Sequence, residues 1–419
     1  MISILENFKN AVREGSTSAE LDILVFGAGE GGENLHIHND KIVSESMTLT
    51  QGICDEADLK FGGCVASSFE IELFATENLT GKYITVYCTQ SAMVPTYPGA
   101  QYPTPEGGYL SGDESIEVYP GMTVYKKRFA LFSGEVYSCK FTRNRLARKL
   151  IAYDRFYWRG EMDATNWYKE AFNGNSTTTL GILRNKLLSG FRIKQQSIID
   201  ACNEQDIEYK WTMNEVLPAD DFEINKSDTG EFTLSELLRM IGEINGVFMW
   251  LNGNGALEYK TIGSSSGSAE VIDYYETAET EEFSRTGFDC LEVSRFGTHD
   301  LVNDSPQTSP YKLDNELVTF GYSPPPDTDF RGELADIRDG IQPNFSISYN
   351  PFSLKTRARL WLEPGDKIQY DIVTYETANN GNETIDTVIL SRRITGIQAM
   401  TDELSAQGEC SSDTLDNEE

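Results

Sequence analysis

Leu360-Trp-Leu-Glu-Pro-Gly-Asp-Lys-Ile368 and Val388-Ile-Leu-Ser-Arg-Arg-Ile-Thr-Gly-Ile-Gln-Ala-Met400 decide how this chain is read. The first stretch predicts a strand, a reversal at Pro364-Gly365, and a return strand that opens at Asp366. Proline presets φ at the first central position of such a turn, and glycine supplies the positive φ of the second. The second stretch alternates apolar and polar residues up to Gly396, the pattern of a half-buried strand bent once. Neither holds a nucleophile beside a base or a set of metal ligands, so both read as architecture.

Upstream, short apolar runs at Leu21–Phe26, Leu35–Ile37, Ile42–Thr50, Phe69–Phe74 and Tyr83–Cys88 predict strands separated by Gly and Asn corners. A short amphipathic helix over residues 3–14 precedes them, using Ile4, Leu5, Phe8 and Val12. Gly62-Gly63 reads as a flexible corner. Prolines crowd residues 94–120, which predicts a long surface loop whose Tyr97, Tyr102 and Tyr109 are placed to dock a partner. Strands resume from Met122 through Leu131-Phe-Ser-Gly-Glu-Val136 to Ile151-Ala-Tyr-Asp154.

The middle of the chain changes period. Leu180, Leu183, Leu187 and Leu188 keep helical spacing, and Ile198, Ile199 and Cys202 begin another apolar face. Thr233-Leu-Ser-Glu236 is a capping box that opens a stripe of Leu234, Leu237, Leu238, Ile241 and Ile244, stopped by Asn245-Gly246. Val247–Leu251 and Ala256–Ile262 then predict a hairpin around Asn252-Gly-Asn-Gly255.

Three separated blocks resemble the baseplate or tail-tip hub proteins of tailed phages. In that family a "WLEPGD"-like turn precedes a final "R-x-I-x-G-x-Q" strand, matched here by Trp361–Asp366 and by Arg392, Ile394, Gly396 and Gln398. Phe61-Gly-Gly-Cys64, Leu131–Val136 and Ala152-Tyr-Asp154 follow the order of the family's first barrel. The resemblance implies a mainly β fold, with two tail-tube-like β-barrels flanking a small α+β domain. It partitions the chain into a first barrel at 1–158, an α+β domain at 159–272 and a second barrel at 273–405, while the acidic composition at the end of the chain predicts a disordered tail at 406–419. It implies a homotrimer, a ring that adapts a six-fold tail tube to a three-fold spike, located at the virion's tail tip and assembled in the host cytoplasm. Its partners would be a tail tube or distal tail protein and a spike or tip protein, with DNA passing through the lumen unread.

Composition sets outer limits. The 419 residues predict two to four domains. Lysine and arginine number 35 against 66 acids, a formal net charge of −31. Such a surface repels nucleic acid, which argues against ordinary DNA binding but leaves room for a pore that holds phosphates only weakly. Seven scattered cysteines without a C-x-x-C pair suit reduced thiols. No signal peptide is expected at the N-terminus, and no membrane insertion, since no run nears the roughly 18 apolar residues a span requires.

Charge is not spread evenly. From Lys126 to Gly160 ten basic residues face only Glu135 and Asp154, a local balance of +8. Arg143, Arg145, Arg148 and Lys149 are its centre and predict a face that meets an acidic surface of a neighbouring subunit. Gly27-Ala-Gly-Glu-Gly-Gly32 matches a dinucleotide fingerprint literally, but residues 33–43 alternate like a strand, so a glycine-rich hairpin is expected. His36 and His38 would share one strand face, and no third ligand is evident by sequence, so they read as a solvent-facing pair. With three histidines and neither G-x-S-x-G nor H-E-x-x-H, no catalytic residues, cofactor or metal are expected. Two rival readings stay open: a tail-associated peptidoglycan hydrolase or protease, and a receptor- or carbohydrate-binding tail module.

Overall fold

The computed structural model describes residues 6–14, 16–29, 32–54, 59–75, 77–95, 114–119, 122–143, 145–227, 231–262, 269–280, 288, 290–295, 298–301, 310–319, 337, 341, 348–372 and 383–408. They are mainly β. Among the described residues, twelve strands join in one antiparallel sheet. Its hydrogen-bonded path runs Tyr275–Thr280, Phe352–Arg357, Thr401–Ala406, Ser391–Thr395, Thr48–Gly52, Ser68–Leu73, Arg148–Tyr153, Met122–Phe141, Tyr83–Pro95, Ser16–Val25 and Leu35–His38, with Glu114–Tyr119 branching from Met122–Phe141.

Strands from the first and last thirds of the chain share this path. They meet where Thr48–Gly52 pairs with Ser391–Thr395, in the register Leu49↔Ile394 and Thr50↔Arg393. Beside the seam, the Glu45 carboxylate accepts the backbone N–H groups of Ile397 at 2.9 Å and Gln398 at 3.1 Å. The Gly396 N–H donates to the Met47 carbonyl at 3.0 Å. Gly396 sits at φ 83°, a conformation that L side chains resist.

The two deciding stretches behave differently from expectation at their edges. The strand before the Pro364-Gly365 turn ends at Arg357, and Leu360 and Trp361 lie in a turn of their own. Arg392 explains this: its guanidinium donates to the carbonyls of Leu362 and Arg359, which a strand ladder would otherwise engage. Trp361 is fully buried edge-on to Phe8, with ring centroids 6.1 Å apart. The turn itself is as read. Gly365 has φ 96°, and Lys367–Ile372 returns to pair with Glu383–Val388. At Gly396 the chain reverses fully rather than bending, because Thr401–Ala406 folds back along Ser391–Thr395.

Two other readings need correction. Residues 114–119 are not loop: they form a strand against Met122–Phe141, with Tyr119↔Met122 at the turn. The alternating Ile116 and Val118 carry that strand signal among the prolines. Gly62-Gly63 is a close-packed joint rather than a flexible corner. A Cβ at Gly62 would stand 2.1 Å from the Arg239 carbonyl oxygen, and one at Gly63 would stand 1.9 Å from that of Ile53.

The middle follows its sequence closely. Thr233 and Glu236 form the expected reciprocal cap on Leu234–Ile244, whose apolar stripe is buried, and Gly246 ends it at φ 64°. Leu180–Gly190 and Gln196–Glu204 are helices, and Phe248–Leu251 pairs with Leu257–Lys260. The N-terminal helix spans Glu6–Glu14 and buries Phe8, Ala11 and Val12; Ile4 and Leu5 lie outside the described residues. Its Lys9 and Arg13 reach the Glu270 carboxylate at 2.9 and 2.7 Å, which holds this carboxyl below its ordinary value against burial. Cys54, Cys64, Cys88, Cys139 and Cys202 are buried thiols, and burial pushes Cys88 up to about 12. No helix is long and apolar enough to cross a membrane among the described residues.

Candidate assembly surface

Met122–Phe141 and Arg148–Tyr153 form the hairpin that carries the basic run. Its tip closes through the Thr142 N–H donating to the Ala147 carbonyl at 2.8 Å and the Arg145 N–H to the Thr142 carbonyl at 2.9 Å. Arg145 holds φ 57° there, and Leu146 is 73% exposed. Arg143 and Arg145 point into solvent without an ion pair among the described residues. Arg148 covers the half-exposed Phe141 ring at 3.7 Å and donates to the Cys139 carbonyl at 3.2 Å. Lys149 stands opposite Lys140, and Glu70 at 2.5 Å relieves that like-charge pairing. The four basic residues singled out from sequence thus lie together at one tip. Tyr97, Tyr102 and Tyr109 lie outside the described residues. Pro364, Gly365, Asp366 and Gly396 sit at turns beside the seam between the two ends of the chain.

Below the tip lies an aromatic cluster that the sequence reading missed. A bulge between Val136 and Ser138 leaves Tyr137 without an opposite residue and turns it outward, half-exposed. Its ring lies 5.7 Å from Tyr153, 6.1 Å from Tyr157 and 6.0 Å from Trp158. Tyr153 and Tyr157 stack at 4.0 Å. The run Tyr153-Asp-Arg-Phe-Tyr-Trp158 carries the signal, but it reads as a strand end unless the helix cap within it is noticed.

Asp154 is that cap. Its carboxylate accepts the N–H groups of Phe156 at 2.9 Å and Tyr157 at 3.4 Å, starting the Arg155–Gly160 helix one residue after the strand. The same carboxylate accepts the Ser67 N–H at 2.7 Å. Burial outweighs these bonds and pushes Asp154 up to about 6. Guanidinium stacking continues the pattern, with Arg128 4.0 Å over Tyr87 and Arg155 5.5 Å over Tyr83. Exposed arginines interleaved with tyrosine and tryptophan are the composition of protein contact surfaces.

The buried carboxyls do structural work. Glu243, raised by burial, lines a cleft of about 190 Å³ with Lys60, Phe61 and Arg239. Its oxygens accept from the Tyr311 hydroxyl at 3.1 Å and the Asn315 amide at 2.9 Å, and among the described residues the cleft lining holds no serine, cysteine or histidine. The glycine-rich segment after Val25 leads to the strand Leu35–His38, not to a helix, so it offers no helix N-terminus to a pyrophosphate.

No known protein-family profile matches the chain, and no curated protein matches it in sequence. Solved structures do resemble it. A tail protein from Neisseria meningitidis MC58 is 12% identical with a TM-score of 0.43, over 93% of this chain and 97% of that one. The 43 kDa tail protein of prophage MuSo2 from Shewanella oneidensis is 12% identical with a TM-score of 0.45, over 93% and 96%. Prophage tail protein gp18 from Listeria monocytogenes EGD-e is 12% identical with a TM-score of 0.42, over 94% and 97%.

Proposed function

We propose that the chain is a structural, non-enzymatic hub of a phage tail or a phage-derived injection apparatus. Three copies form a ring that adapts a six-fold tail tube to a three-fold spike or tip. The seam carries this reading. The two stretches that resemble hub proteins surround the place where Ser391–Thr395 joins Thr48–Gly52 in one sheet. An adaptor that presents two tube-like units per copy must hold them at a fixed angle, or six units from three chains cannot close a ring. A continuous sheet, with Glu45 clamping the Gly396 turn, supplies such stiffness.

On this reading the barrels occupy residues 1–158 and 273–405, with the α+β domain between them. The hairpin tip at Arg143–Lys149 and the tyrosine–tryptophan cluster meet another copy or a tail partner. The acidic surplus suits a lumen through which DNA passes without being read. Light scattering and negative-stain electron microscopy of the purified chain test the proposal. The expected result is a trimer shaped as a ring with a central opening. A compact monomer lacking two barrel-sized lobes overturns it.

The cluster of exposed Tyr137 and Tyr157 with partly buried Tyr153 and Trp158 favours a second reading, in which this face stacks sugar rings of a host surface. Binding to cell-wall polysaccharide that disappears in Tyr157→Ala and Trp158→Ala would select it.

A further inference from the structure

The histidine pair set aside in the sequence acquires a third ligand in the fold. Leu35–His38 pairs antiparallel with Ser16–Val25 at the edge of the sheet, and the register sets Asp22 directly opposite His38. His36, two residues earlier, projects from the same face. Both Nδ1 atoms converge on one oxygen of Asp22, at 3.0 Å from His36 and 3.6 Å from His38. One ligand atom from each of the three side chains lies within 4.8 Å of the others. From this convergence we infer that Asp22, His36 and His38 bind a divalent transition-metal ion of the Zn²⁺ class, with an open coordination position toward solvent.

The distances favour a metal over a plain hydrogen-bonded trio. Ligands about 2.0–2.2 Å from a common ion stand about 3.0–3.5 Å apart in octahedral or tetrahedral arrangements, close to the separations of the two Nδ1 atoms from the Asp22 oxygen. His36 at 3.0 Å can donate to Asp22, but His38 at 3.6 Å is too far for a hydrogen bond. Its ring is nonetheless stacked beside that of His36, at 5.9 Å and 21°. Two imidazoles and one carboxylate, all oxygen or borderline nitrogen donors, suit Zn²⁺, Co²⁺ or Ni²⁺ better than Ca²⁺.

The surroundings hold the ligands in place. Arg128 donates to the other Asp22 oxygen at 3.1 Å and is itself stacked on Tyr87, so the carboxylate keeps one oxygen turned to the histidines. Asn39 pins the histidine strand by accepting the Leu21 N–H at 2.8 Å and donating to the Ala19 carbonyl at 3.2 Å. Arg128 brings a positive charge near the site, which weakens affinity without blocking the histidine side. Both histidines are more than half exposed, so an ion enters directly from solvent.

Untagged full-length protein, stripped with EDTA, is titrated with Zn²⁺ by calorimetry and with Co²⁺ by visible absorption, beside His36→Ala, His38→Ala and Asp22→Asn. The histidine substitutions are at exposed positions and leave the fold intact, so they keep the test sound if Asp22→Asn disturbs Arg128. The expected result is one ion per chain beyond any weak background on surface acids. A cobalt–imidazole spectrum accompanies it, and each histidine variant loses at least tenfold in affinity. Native protein that binds no ion, or histidine variants that bind as tightly as native, would overturn the assignment.

Discussion

Two hairpins of one sheet carry arginine, and they hold it in opposite ways. In Ser391–Ala406, Arg392 is 3% exposed and paired with Asp402, which is fully buried. The same guanidinium meets the carbonyls of Leu362 and Arg359. In Met122–Tyr153, Arg143 and Arg145 stand in solvent with no ion pair among the described residues. A buried guanidinium is tolerated only when its donors and charge are met, whereas an exposed one needs no partner and is free to find one elsewhere. The first arginine therefore belongs to the fold, and the second pair is free for contact.

Arg392→Ala should break the comparison most forcefully. It strands the Asp402 carboxylate, whose burial already pushes its pKa up, and takes from the Leu362 carbonyl the guanidinium that donates to it. A loss of about 3–5 kcal/mol is expected in urea unfolding. The adjacent Arg393 makes a surface pair with Glu403 at 3.8 Å, and its removal should cost less than about 0.5 kcal/mol. Similar losses in the two variants would mean that burial does not distinguish these arginines.

The exposed hairpin has a buried carboxyl of its own at its root. Asp154 keeps its proton up to about pH 6 in the folded chain, against roughly 3.9 when unfolded. The folded state therefore binds the extra proton between these values, so stability is fullest on the acid side and falls as pH rises through about 4 to 6. The fall should be about 2–3 kcal/mol. Unfolding midpoints of native protein and Asp154→Asn at pH 4.5 and 7.5 should converge or cross as pH increases. Parallel profiles would show that Asp154 ionises equally in both states.

What the sequence disclosed tracks how local the cause was. The Leu234–Ile244 helix was legible because its cap, stripe and stop lie within about a dozen neighbouring residues. The Pro364-Gly365 turn was legible for the same reason. Leu360-Trp361 was misread because the carbonyls on either side of it, those of Arg359 and Leu362, are met by Arg392 from 33 and 30 residues away. Gly62 answers to the Arg239 carbonyl, which no local window contains. At the candidate site, the charge run was visible as composition. The aromatic cluster was not, since it depends on a one-residue bulge at Tyr137 and on a cap inside an apparent strand end. Asp22 joins His36 and His38 only through strand register.

The turns of the two hairpins sharpen the contrast by a smaller amount. Gly396 and Arg145 both hold positive φ, at 83° and 57°. A Cβ at Gly396 would stand 2.5 Å from the Glu45 carboxylate that clamps the turn. Gly396→Ala should cost about 1–3 kcal/mol, with thermal unfolding as the readout. Arg145→Gly relieves strain but loosens the unfolded chain, so it should stay within about 0.5 kcal/mol of native. An inexpensive Gly396→Ala would mean that the seam yields, and would weaken the case for a stiff link between the two ends of the chain.

The gentlest substitution for the fold tests the surface most directly. Arg143→Glu with Arg145→Glu changes the tip from basic to acidic at two solvent-facing positions, so unfolding should shift by no more than about 0.5 kcal/mol. If the tip meets an acidic face of another copy, the same change sets like charges against each other there, and that juxtaposition costs several kcal/mol. Native assembly should also loosen as ionic strength rises from about 0.05 to about 0.5 M, because exposed charges are screened over shorter distances. Sedimentation of native and doubly reversed protein across that range separates the cases. An unchanged assembly state at low salt would remove the tip from the interface, and would leave the Tyr137–Trp158 cluster as the part of this hairpin with a contact still to find.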